Sequence, residues 1–204
     1  YRALCEKGLP VMQVSFPRYG TPGARAVEFY LSGGLGEDPA ATNPYAASAF
    51  FAVDRYISYQ SEWKSFLDRP DTVVIANRYT TANAVHQLSK MHNATSEQKL
   101  AFLDWLWEFE FDRLCLPRPD LVLYLEMTPD VSRRLVQSRS EETGRKQDIH
   151  ETDGTHLENS YQAALFAAEH MGWTRICCCD AGEPLPIPQI AQRVLAAAEQ
   201  ALQG

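Results

Sequence analysis

No CxxC pair occurs in this chain, and no apolar run comes near the roughly 20 residues that a membrane-spanning helix needs. Basic residues are in deficit: 19 Lys and Arg stand against 26 Asp and Glu, for a net charge of −7 and a pI of about 5.2. A duplex nucleic acid asks for a basic face, so no nucleic-acid partner is expected, and no membrane partner either. A small phosphorylated ligand stays open, because a few placed arginines can hold one inside an acidic protein. Low-complexity tracts and internal repeats are absent, and Gly and Pro (11 and 12) are scattered rather than gathered into a linker. One domain over residues 1–204 is therefore expected. Three of the five cysteines form the run Cys177-Cys178-Cys179, which reads as a buried strand, while Cys5 and Cys115 stand alone. Zinc-ligand and thioredoxin-like spacings are both missing. The odd count, with no signal-peptide pattern, predicts a cytoplasmic setting. The chain opens on Tyr1 rather than Met, and Tyr1–Gly8 reads as the end of a helix stopped by glycine, which predicts residues upstream.

What is present alternates. Val11–Phe16 has the period of a strand and stops at Pro17, and a helix follows from Pro22 to Ser32, ending at Gly33-Gly34. Asn43-Pro44 pairs a cap residue with a proline at the first helical position. It opens a long aromatic helix over about 44–68, rich in Phe and Tyr and including Trp63. The run Thr72–Ala76 (TVVIA) reads as a central, fully buried parallel strand. Helices are expected near 80–91 and 96–113, then a second buried strand at Leu121–Leu125, and a helix starting at Thr128-Pro129-Asp130. Residues 140–156 carry many charges and few apolar anchors, and read as a mobile loop. A helix over 155–171, a strand at Trp173–Cys178 and a last helix over 187–203 complete the chain. Strands alternating with helices predict an α/β fold, with right-handed crossovers and a central parallel sheet covered on both faces. Ligands in such folds sit at the carboxyl ends of the strands. Phe16–Arg18, Asn77-Arg78, Glu126–Thr128 and Asp180 are the places to look.

Arg78 emerges directly after the strand TVVIA, where its planar guanidinium suits a bidentate grip on phosphate or, equally, a pair with a neighbouring carboxylate. Phe51 and Arg55, four apart on one helix, share a face. A ring and a guanidinium so placed could sandwich a flat base, or could be a core Phe beside a surface Arg. The stretch 139–156 holds Arg139, Arg145 and Lys146 with Asp148, Glu151 and Asp153, either a solvated loop or a lid that closes cations over a transferring phosphoryl group. His86 and His150 lack a second ligand at metal-like spacing.

Taken in order, Phe16-Pro17-Arg18-Tyr19, Ala49–Tyr56 (AFFAVDRY), Val74–Gln87 (VIANRYTTANAVHQ), Leu116–Leu125 (LPRPDLVLYL) and Asp148-Ile149-His150-Glu151 resemble the thymidylate kinase (dTMP kinase) family, over nearly the whole chain from Val11 to Leu195. The resemblance implies a three-layer α/β/α sandwich of the P-loop kinase type and an ATP-dependent, homodimeric enzyme. Its reaction is phosphoryl transfer from ATP, with Mg²⁺, to dTMP. It implies that Phe51 stacks on thymine, that Arg55 bonds its carbonyl edge, and that Arg78 contacts the acceptor phosphate. Asn83, His86 and Gln87 would line the deoxyribose and base, with His150 closing on the nucleoside and Arg18 near the acceptor phosphate. Arg139 and Arg145 would act from the lid (about 139–156), with Arg139, Asp180 and Ala181 beside the ATP. Three departures stand out. No GxxxxGK[ST] occurs from Tyr1 to Gly204, so the family's first strand and phosphate loop are missing from these residues. Asn77 stands where the family commonly has Asp, so it could meet the metal only indirectly, through water. Ile149 stands where many relatives carry a lid Arg. Two other readings remain: a non-catalytic nucleotide-binding relative lacking the phosphate loop, and a kinase for another nucleoside monophosphate or a deoxynucleoside.

Overall fold

A computed structural model describes residues 1–36, 38, 41–143 and 154–203, with the backbone alone at 139–143, 154 and 156. The chain divides into two compact units, residues 1–87 with 93–118, and residues 88–92 with 119–204.

The first unit opens with a short helix, α1 (Arg2–Glu6), and strand β1 (Val11–Ser15). A 3₁₀ turn over Pro22–Ala24 leads into α2 (Arg25–Leu31). Helix α3 (Pro44–Ser58) begins as its sequence demands, with the Asn43 side chain accepting from the Tyr45 N–H at 2.8 Å. It widens into π turns over Tyr59–Trp63 and closes as α4 (Lys64–Leu67). Strand β2 (Val73–Asn77) then pairs parallel with β1, Val11 opposite Val73 and Ser15 opposite Asn77. The expected helix near 80–91 is α5 (Thr80–His86), followed by a 3₁₀ turn over Leu88–Met91 that belongs to the second unit. Thr95 and Gln98 form a reciprocal capping box at the start of α6 (Ser96–Trp107), which again widens into π turns over Glu108–Arg113. Trp63, Tyr79, Phe16, Phe111 and Leu116 close over Val14 to make the core against β1 and β2.

In the second unit β3 (Leu123–Glu126) pairs parallel with β4 (Thr174–Cys177), Leu123 opposite Thr174. Between them run α7 (Pro129–Thr143) and α8 (Gly154–Met171). Ala163, Ala164, Ala167 and Ala168 make a small-residue stripe on α8, buried together with Leu88 and Val131. A tight hairpin joins β5 (Cys179–Asp180) to β6 (Glu183–Pro184), and α9 (Ile187–Gln203) ends the chain.

Several expectations need correcting. Residues 140–143 and 154–156 are helical ends of α7 and α8 rather than loop, while 144–153 lie outside the described residues. Neither TVVIA nor LVLYL is fully buried: β2 is half-buried, and Leu125 is 53% exposed. Among the described residues each parallel ladder has two strands, and apolar runs do not by themselves secure cover on both faces. The cysteine run splits in the same way. Cys178 is buried, Cys177 is exposed at the end of β4, and Cys179 starts the hairpin that the sequence reading lacked. All five thiols are unpaired.

Candidate active site

Parallel pairing brings the carboxyl ends of β1 and β2 side by side, and the Asn77 amide donates to Ser15 Oγ at 3.2 Å. Asn77 is exposed and uses only its Nδ2 in that bond. Next along the chain, Arg78 holds a left-handed backbone (φ 59°), costly for a residue with a Cβ. This bends the chain out of β2 into α5 and carries the guanidinium to within 3.2 Å of His86 Nε2. Arginine can only donate, so Nε2 is the acceptor in this contact.

Arg18, just past the end of β1, is clamped from α3. Its backbone N–H and Nε donate to the two oxygens of Asp54 at 2.8 and 3.2 Å, Nη2 reaches the Asp54 carbonyl at 3.5 Å, and Nη1 meets Glu62. The clamp needs Gly23, because a Cβ there would lie 2.9 Å from Asp54 Oδ1 and 3.3 Å from its Cα.

Arg55 and Glu110 form a wholly buried pair. Arg55 donates from Nε and Nη2 to the carboxylate at 2.7 and 2.6 Å. Glu110 also accepts from Thr80 Oγ1 at 2.8 Å and from Asn83 Nδ2 at 3.3 Å, and Asn83 Nδ2 further donates to the Ser48 carbonyl at 3.2 Å. One turn before Arg55, Phe51 is half-buried, its ring edge-on to Tyr30 at 6.3 Å. Gln87, almost fully buried, bonds Tyr30, whose hydroxyl is held above its ordinary pKa by burial.

The sequence-predicted residues of the first unit thus gather around α3 and α5: Phe51, Arg55, Asn83, His86 and Gln87, with Arg78 at the head of α5. Arg18 packs onto the same helix α3. In the second unit Asp180 and Ala181 do form a turn, with Ala181 and Gly182 both at positive φ, and Arg134 grips it through Glu183 at 2.9 Å and the Gly182 carbonyl. Arg139 lies in α7 with its side chain outside the described residues, as do Arg145, Ile149 and His150 altogether. Asp54, Glu62, Thr80 and Glu110 were not foreseen as site residues. A signal existed for one of them: Glu110 stands between Phe109 and Phe111, where burial forces a charge to find partners. Among the described residues no three His, Cys, Asp or Glu side chains are grouped to hold a metal, and no helix is long and apolar enough to cross a membrane.

With Arg18 and Arg78 just past the carboxyl ends of the parallel strands β1 and β2, this is an α/β protein whose cationic side chains stand at the edge where such folds hold their ligands. Residues 1–186, across both units, match the thymidylate kinase family, and the chain belongs to it. Thymidylate kinase from two strains of Mycobacterium tuberculosis (CDC 1551 / Oshkosh and ATCC 25618 / H37Rv) is 29% identical over 167 residues, covering 81% of this chain and 75% of the relative. The fold is similar to that of thymidylate kinase from Candida albicans, with a TM-score of 0.65, 18% identity, and coverage of 97% of this chain and 84% of that one.

Proposed function

We propose that this protein transfers the γ-phosphoryl group of ATP to dTMP, giving dTDP and ADP. The observation that carries this is the family match over residues 1–186. The acceptor phosphate is already anionic at neutral pH, so no general base is required, and catalysis rests on positioning and positive charge. In this reading thymine lies on Phe51 with its carbonyl edge toward Arg55, flanked by Asn83, His86 and Gln87. Arg78 holds the acceptor phosphate, and Arg18 stands close by. Arg139, Arg145 and His150 would serve as the lid residues, and Asp180 and Ala181 would contact the ATP. The left-handed backbone at Arg78 supports its part, since strain of this kind gathers at functional positions.

ATP would arrive with Mg²⁺, which neutralises phosphate charge. Asn77 supplies an amide oxygen and no charge, so it fits only an ion held through water, with the nucleotide phosphates as its main ligands. The protein is further read as a cytoplasmic homodimer, with no nucleic-acid or membrane partner. Exposed Val53, Tyr56 and Ile57 on one side of α3 support the pairing. The test is ADP release with Mg-ATP and, in turn, dTMP, dUMP, dCMP and thymidine. Turnover of dTMP above the others is expected, and phosphorylation of thymidine without dTMP would sink the reading.

A further inference from the structure

Glu110 collects four donor bonds on two oxygens: two from Arg55, one from Thr80 and one from Asn83. A buried ion pair is a poor stability device, because desolvation offsets much of its attraction and an apolar replacement is often no worse. Its arrangement points elsewhere. A carboxylate can only accept, so the Arg55 guanidinium is fixed in one plane with Nε and Nη2 consumed, and Nη1 makes no hydrogen bond to the described residues. The same logic sets the Asn83 amide. Glu110 and the Ser48 carbonyl both accept from Nδ2, so Oδ1 is the atom left over. The residual pair is one donor and one acceptor.

We infer that Glu110 is a specificity-positioning residue that sets this polarity and thereby selects a 4-oxo pyrimidine over a 4-amino one. The inference rests on the dTMP kinase reading. Thymine and uracil offer an acceptor at O4 and a donor at N3, complementary to Arg55 Nη1 and Asn83 Oδ1. Cytosine offers a donor at position 4 and an acceptor at N3, so both contacts are mismatched. Glu110 touches no substrate atom itself and acts through Arg55 and Asn83.

The test compares dTMP and dCMP on the full-length protein. Glu110→Gln keeps the shape but turns one acceptor into a donor, which faces an Arg55 N–H in either orientation (Nε at one oxygen position, Nη2 at the other) and so releases the guanidinium from its fixed plane. The dTMP-to-dCMP ratio of kcat/KM should fall by about tenfold. Glu110→Asp keeps the acceptors on a shorter stem. It should hold the ratio within about threefold of wild type while the KM for dTMP rises several-fold. Should Glu110→Gln fail to fold, Glu110→Asp decides alone, and a wild-type KM there overturns the inference. Loss of both substrates in equal proportion, or a lowered Tm with an unchanged ratio, makes Glu110 merely structural and also overturns it. A wild-type protein that turns over no dTMP sinks the kinase reading itself, whereas wild-type turnover with an unmoved ratio in Glu110→Gln sinks this inference alone.

Discussion

Asp54 binds Arg18 through both its backbone N–H and its Nε, at 2.8 and 3.2 Å, so a carboxylate on α3 fixes the chain as well as the side chain just beyond β1. The closeness of Gly23 is a condition of that clamp. Gly23→Ala puts a methyl 2.9 Å from Asp54 Oδ1. Overpacking of this size should cost about 1–3 kcal/mol and loosen Arg18. Denaturant unfolding should show the loss, with a raised KM for dTMP beside it, and unchanged values in both would show that the clamp yields freely.

Arg78 separates stability from activity. Its positive φ suits glycine, so Arg78→Gly should be more stable than Arg78→Ala by about 1 kcal/mol. Both should lose about a hundredfold or more in kcat/KM for dTMP, as removal of a charge-assisted phosphate contact predicts. Thermal melts and steady-state kinetics on the pair check the two halves separately.

Asn77→Asp adds a carboxylate at the carboxyl end of β2. Less Mg²⁺ should then be needed for half-maximal rate, by several-fold, since a charged oxygen holds the ion more strongly than an amide does. Titration of activity against Mg²⁺ at fixed ATP is the measurement, and an unchanged midpoint defeats the proposed contact.

Glu126, at the end of β3, accepts from Arg175 Nε and Nη2 at 2.8 Å each and from the Tyr161 hydroxyl at 3.0 Å. The Arg175 bonds, helped by Tyr161, hold its carboxyl below the ordinary value of 4.5. Nearby Tyr124 is pushed the other way, to about 12, first by burial. A depressed carboxyl stabilises the folded state above its unfolded pKa, and that contribution fades as the pH drops through the folded value. Glu126→Gln should therefore cost about 0.5–1 kcal/mol at pH 7, modest because Arg175 is half exposed, and less near pH 3. Unfolding curves at the two pH values test the sign.

Much of the fold was legible in one dimension because its signals are local. The Asn43-Pro44 start of α3, the capping box at Thr95 and the glycine stop after Leu31 each act within one turn of helix. The Asp180–Glu183 hairpin escaped because its turn uses Ala181 at positive φ, where a sequence reading looks for Asn or Gly first. Exposure of Leu125 and Cys177 escaped because a run of apolar residues states a need for cover and not its presence.

By itself the sequence determined the order of elements, the α/β class and the places where strands end, since periodicity and caps depend on neighbours a few residues apart. It also carried Phe51, Arg55, Arg78 and Asn83 as candidates through their family resemblance. Only the tertiary structure decided what those side chains hold. Arg55 meets Glu110 across 55 residues of chain and Arg18 meets Asp54 across 36. Hydrogen bonds between such distant groups depend on how helices pack, which no local pattern encodes. The orientation of the Asn83 amide, and with it the polarity left for a base, is set by those long-range acceptors alone.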